Sequence, residues 1–134
     1  LLGLAGLQVM GMRSNLSAYH RSQATQLAYN IADRMRSNKS AANNYLTSFM
    51  APTDAAVQND CSTVSITCTT ADMAENDLFL WNQSLTSTTV LPGGSGTITF
   101  ADPIYIIKIT WTNRDAYRSV NKTNNPEFFV SFEL

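Results

Sequence analysis

Between Leu16 and Met35 one stripe recurs along the chain: Leu16, His20, Ala24, Leu27, Ile31 and Met35, at spacings of four, four, three, four and four. That spacing is one face of an amphipathic helix. Neither Pro nor Gly lies between Met12 and Ala51, so the helix is expected to run to about Ser37 or Asn38 and to break in the polar stretch beyond. Arg34, Arg36 and Lys39 stand near its C-terminal end, where the helix dipole favours cations. Upstream, Leu1, Leu2, Leu4, Leu7, Val9, Met10 and Met12 project in every direction at the helical period. A helix that is apolar all round is buried in protein or lipid. A run of about a dozen residues is shorter than the roughly 20 that cross a bilayer, so it reads as the stump of a longer hydrophobic helix. Gly3, Gly6 and Gly11 interrupt it, each costing a water-exposed helix roughly 1 kcal/mol relative to Ala. The bland alternative is a flexible, sticky N-terminus. A helix from Leu1 would be roughly 55 Å long, so one end is expected to project. Arg13, on the side of the stripe, marks where cover should stop.

Downstream the period shortens. Residues 39–70 read as an extended connection, with a short helical piece around Ala41 to Phe49 and a short strand through Val64 and Ile66. Asp72 and Glu75 open a second helix whose apolar face is Ala74, Leu78, Trp81 and Leu85. A turn cluster, Leu91-Pro-Gly-Gly-Ser-Gly96, precedes three strand candidates. Ile98 and Phe100 alternate with threonines. Tyr105, Ile107, Ile109 and Trp111 form one face of the next strand, and Phe128, Val130, Phe132 and Leu134 one face of the last. The polar residues 113–126 join those two. The fold class is therefore α+β: one long N-terminal helix packed on an antiparallel sheet, with a short second helix in the connection. The expected helix–sheet core is Leu16, Leu27, Ile31 and Met35 against Ile107, Ile109, Trp111, Phe128, Val130 and Phe132. With 134 residues, one domain is expected, with 1–15 protruding and 16–134 forming a globular head.

Charge sharpens this picture. The formal net charge of −1 divides into +4 over residues 1–40 and −5 over residues 41–134. Neither part has the dense basic stripe of a nucleic-acid binder, so no nucleic acid is expected as a partner. Opposite signs favour head-to-tail contact with a copy or a relative. Cys61 and Cys68 have the wrong spacing for CxxC redox chemistry, and two thiols alone do not make a zinc site. A disulfide formed in an oxidising compartment is the better reading, contributing roughly 2–3 kcal/mol on a chain-entropy model, with two reduced core cysteines as the alternative.

Reactive chemistry is absent from the pattern. The single histidine, His20, sits on the helix stripe and reads as a half-buried packing residue. No Ser–His–Asp or Cys–His arrangement can be assembled, and Gly93-Gly94-Ser95-Gly96 lacks the Lys-Ser/Thr of a phosphate loop. No catalytic residue, cofactor site or metal site is expected.

The block Leu1 to Gln8 resembles the distal part of the N-terminal hydrophobic helix of PilV-type minor pilins of the type IV pilus. Tyr19 to Asn38 is similar to the next part of that helix in the family, most specifically the closing Ala32-Asp-Arg-Met-Arg-Ser-Asn38. Trp81, the Leu91 to Gly96 turn and a strand ending Ile109-Thr-Trp111 also resemble it. The resemblance implies a type IV pilin fold. It further implies an inner-membrane anchor through the segment before Leu1, and later a place in the pilus, at its tip. The expected partners are other minor pilins, the major pilin and a tip adhesin, in a complex that primes pilus assembly and supports twitching motility and adhesion. Leu1, Leu2, Leu4, Leu7 and Met10 would form the membrane and filament-core helix. The family's cleavage motif and its glutamate near the mature N-terminus have no counterpart here, so neither role is assigned, and the sequence is expected to be a truncated form. Two alternatives stand beside this reading: a minor pseudopilin of type II secretion, and a ligand- or DNA-binding pilin using Arg114, Arg118 and Lys122.

Overall fold

The computed structural model describes residues 2–47, 60–87, 89–112 and 125–134. Helix α1 spans Leu2–Ser37, 36 residues without interruption. A 3-10 segment, Lys39–Tyr45, succeeds a break at Asn38. Helix α2 spans Thr70–Leu85. Strands β1 (Ser95–Ala101), β2 (Ile104–Thr110) and β3 (Glu127–Phe132) form one antiparallel meander in the order β1-β2-β3. The α+β class and the helix-on-sheet arrangement are as the pattern predicts.

The start of α2 is fixed by a reciprocal cap. Thr69 accepts a hydrogen bond from the Asp72 amide at 3.1 Å, and Asp72 Oδ2 accepts one from the Thr69 amide at 2.9 Å. This pair satisfies two of the helix's orphan donors. The strand expected through Val64 and Ile66 does not form. Residues 61–65 are turns and a bend, because Cys61 and Cys68 close a disulfide and Asp60 accepts from the Ser62 amide at 3.0 Å. That local hydrogen bonding gives the backbone an alternative to a strand.

Register puts one residue set on the inner face. Ile98 pairs with Ile107 and Ile107 with Val130, while Ile109 pairs with Phe128 and Tyr105 with Phe132. Between this face and α2, helix α1 buries Ala24, Ala28, Ile31, Ala32 and Met35 completely. Alanines at four-residue intervals let the helix sit close to its neighbours, and Ile31 and Met35 fill the space between. Helix α2 covers the β1 side, burying Ala74, Leu78, Trp81 and Leu85. Ile107, Ile109, Trp111, Val130 and Phe132 are buried, while Leu27 and Phe128 are partly buried and packed against the core. Leu16 corrects the expected core: it is 53% exposed. Its spacing matches the stripe, but it lies eight residues, about 12 Å, above Ala24, where α1 first becomes fully buried.

The turn at residues 91–96 brings sheet and α2 together. Gly93 has φ +58°, the left-handed region that favours glycine. A side chain on Gly94 would meet the Leu85 carbonyl oxygen, and one on Gly96 the indole of Trp81. The glycine cluster is thus required by close approach as much as by turning.

Candidate functional site

The upper half of α1 is exposed wherever its side chains are described. Among the described side chains there, Leu7 is 67% and Met12 72% exposed, and Leu16 and Tyr19 stand open as well. Leu2, Leu4 and Met10 lie on the same helix, and Leu1 lies outside the described residues. His20 is half-buried at the rim, its ring 5.9 Å from that of Tyr19. A Cβ placed on Gly3, Gly6 or Gly11 would meet nothing within 4 Å. These glycines therefore weaken the helix without serving any close contact among the described residues, unlike Gly94 and Gly96. Among the described residues no helix is long and apolar enough to cross a membrane.

Below the rim, α1 is locked to the head by polar groups that periodicity does not reveal. Arg34 Nη1 donates to Asp77 Oδ1 at 2.7 Å and Arg34 Nε to Asn30 Oδ1 at 3.0 Å. Asp77 is buried, and its other oxygen accepts from the Tyr45 hydroxyl at 2.6 Å. Asn38 Nδ2 donates to the Tyr45 hydroxyl at 3.1 Å and to the Thr70 carbonyl at 2.8 Å. The chain of bonds ties α1, the 3-10 segment and α2 at one point. Burial, reinforced by the bond to Asp77, pushes the Tyr45 hydroxyl well above the ordinary tyrosine range. A second tie runs from Trp81 Nε1 to the Leu27 carbonyl at 2.9 Å, and the Leu27 side chain stays at the edge of the core. Apolar periodicity assigns charged residues such as Arg34 and Asp77 to solvent, so it does not point to this network. The only sequence signal is that Asp77 lies beside Leu78 and close to the helix face of Ala74 and Trp81.

Two further features face outward. The Cys61–Cys68 disulfide closes a loop that presents Val64, fully exposed at 108%, and Ile66. Asp60 stands at its base, and the Ser62 hydroxyl and amide hold its carboxyl below the usual carboxylate range. On the other side, a groove between α1 and α2 is lined by Gln23, Leu27, Arg34, Leu80, Trp81 and Gln83, among others. Among the described residues no group of three or more His, Cys, Asp or Glu could hold a metal ion. Arg114, Arg118 and Lys122 lie outside the described residues.

A family model described as Tt1218-like, type IV pilin Tt1218, matches residues 6–79, more than half of the chain. The matched stretch runs from the exposed end of α1 through its buried half and the locking residues to the middle of α2. No curated protein and no solved structure matches the chain significantly.

Proposed function

The chain belongs to the Tt1218-like family of type IV pilins, and from that premise we propose that it is a minor pilin of the PilV type. Family membership makes it a structural subunit of the cell envelope and pilus that assembles with other pilins. The finer reading is a single pilin unit, with residues 1–15 protruding and residues 16–134 forming the head. It joins other minor pilins, the major pilin and a tip adhesin in the complex that starts filament growth, and so supports twitching motility and adhesion. Before assembly the apolar helix rests in the inner membrane. In the filament, helices of neighbours replace the lipid.

The observation that carries this reading is the emptiness around Gly3, Gly6 and Gly11. Each costs the isolated helix roughly 1 kcal/mol, and no contact among the described residues compensates. Small residues are what allow two helix backbones to approach closely. Leu7, Met12 and Leu16 then supply the apolar surface on either side.

The test is Gly6→Leu in the complete pilin, expressed in cells that build the pilus. The melting temperature of the head is expected to stay within about 1 °C, because a Cβ at position 6 meets nothing within 4 Å among the described residues. Recovery in the sheared pilus fraction, and co-purification with other minor pilins from membranes, should fall at least about tenfold, a loss that costs only about 1.4 kcal/mol of packing. Normal incorporation of the variant would refute the reading. In a deletion strain, loss of exoprotein release with intact twitching would instead assign the chain to a secretion pseudopilus.

A further inference from the structure

Between the apolar end of α1 and the head lies a bare length of helix whose charge is all of one sign. Met12 closes the apolar run, and Ala24 is where α1 first becomes fully buried, about 18 Å further along the axis. On that length the side chains of residues 15–19, 21 and 22 are exposed. Arg13 and Arg21 stand on it, and the first acidic residue of the chain is Asp33. A polar helix that only crosses water is stabilised by opposite charges three or four positions apart. Here α1 supplies none, because Asp33 lies about 18 Å along the axis from Arg21. The positive charge is left for an anion outside the chain. Apolar and aromatic side chains interleave with it: Leu16 is 53% and Tyr19 45% exposed, and the Tyr19 ring lies 5.9 Å from that of His20. That mixture suits a layer of phosphates with hydrocarbon beneath it, which a nucleic acid does not offer. Tyrosine, with an apolar ring and a polar tip, gathers at the headgroup level of bilayers.

We propose that residues 13–21 of α1 form a collar that rests in the anionic headgroup layer of a phospholipid bilayer, with Arg13 and Arg21 meeting lipid phosphates. The inference rests on the reading that the apolar end of α1 enters lipid, and it adds the class of lipid met there. A headgroup layer is about 5–7 Å deep on each side, so residues 13–17 occupy it. Helical side chains lean toward the N-terminal end, here the lipid end. That lean, with the length of an arginine side chain, brings the Arg21 charge back toward the layer. It lies within the roughly 10 Å over which charges act on each other at 0.1 M salt.

Co-sedimentation of the 134-residue chain with lipid vesicles tests it. Vesicles of equal parts phosphatidylglycerol and phosphatidylcholine should be bound at least about tenfold more tightly than pure phosphatidylcholine, since each cation near an anionic surface gives about a fivefold gain. Raising the salt from about 0.05 M to about 0.5 M should remove most of that preference. Arg21→Gln should lose about fivefold on the anionic vesicles and nothing on the neutral ones. Lys39→Gln removes the same charge beyond the far end of α1 and should match wild type. Both side chains are exposed, so both variants should keep the wild-type circular dichroism. Equal binding to the two kinds of vesicle, or binding to neither, overturns the proposal. So do equal affinities of Arg21→Gln and Lys39→Gln for the anionic vesicles. Gly6→Leu leaves every charge in place, so its effect in whole pili is read separately, and failure of the headgroup contact leaves the pilin reading standing.

Discussion

Gly94→Ala is expected to lose about 3 kcal/mol or more of stability, enough to leave a marginal head largely unfolded. The added methyl would run into the Leu85 carbonyl oxygen and press on Leu91 Cβ at 3.0 Å. The carbonyl belongs to the last residue of α2, and backbone cannot step aside as a side-chain tip can. Gly96→Ala obeys the same logic at the second residue of β1. There the new carbon meets the Trp81 indole and comes within 2.8 Å of Leu85 Cδ1. The indole is fully buried and tied by its N–H to the Leu27 carbonyl at 2.9 Å, so moving it sacrifices a bond between α2 and α1. Urea denaturation of the two variants should show midpoints far below wild type. Gly6→Ala serves as the control, with no loss expected, since an added methyl there meets nothing within 4 Å among the described residues.

The second large effect is at Asp77. Asp77→Ala removes the acceptor of both Arg34 and Tyr45 at once. Breaking a buried ion pair costs about 3–5 kcal/mol. Because about a third of Arg34 is exposed to water, the lower part of that range applies, and about 3 kcal/mol is expected, including the stranded Tyr45 hydroxyl. Denaturation curves of Asp77→Ala and of Asp77→Asn check this. The amide keeps one acceptor, so Asn should retain part of the stability, and an unchanged midpoint for Ala would show that the network is inert.

The same network gives a dependence on alkaline pH. In the unfolded chain Tyr45 ionises near pH 10. In the folded head its value is raised by burial and by the bond to Asp77, so the folded state keeps the proton longer. The contribution is therefore complete below about pH 10 and declines above it, by at most about 1.4 kcal/mol per pH unit. Tyr45→Phe should flatten this decline relative to wild type in denaturation series from about pH 9 to about pH 11. Equal slopes for the two proteins would remove Tyr45 from the account.

Much of the architecture is legible in residue periodicity because apolar spacing controls which face of an element is buried. The four- and three-residue steps from Ala24 to Met35 mark α1, and the alternations at Tyr105–Ile109 and Phe128–Phe132 mark two strands and their inner faces. Leu16 departs from the core because a helix stripe carries no information about where its partner ends. Ala28 and Ala32 lie off the steps of that stripe, one position past Leu27 and Ile31, yet both are fully buried. Val64 and Ile66 have strand spacing, but the disulfide and the Asp60 turn override it. The Arg34–Asp77–Tyr45 network is invisible to periodicity for another reason. Its members are 43 and 32 positions apart, and only the fold brings them together.

One consequence of the uninterrupted α1 is mechanical. A pull on its upper end travels along the helix axis into the seam between Ala24 and Met35, which runs parallel to the pull. The seam is therefore loaded in shear. Its side chains must yield together, where a load applied across the seam would peel them apart in turn, and the Trp81 and Arg34 ties resist the same sliding.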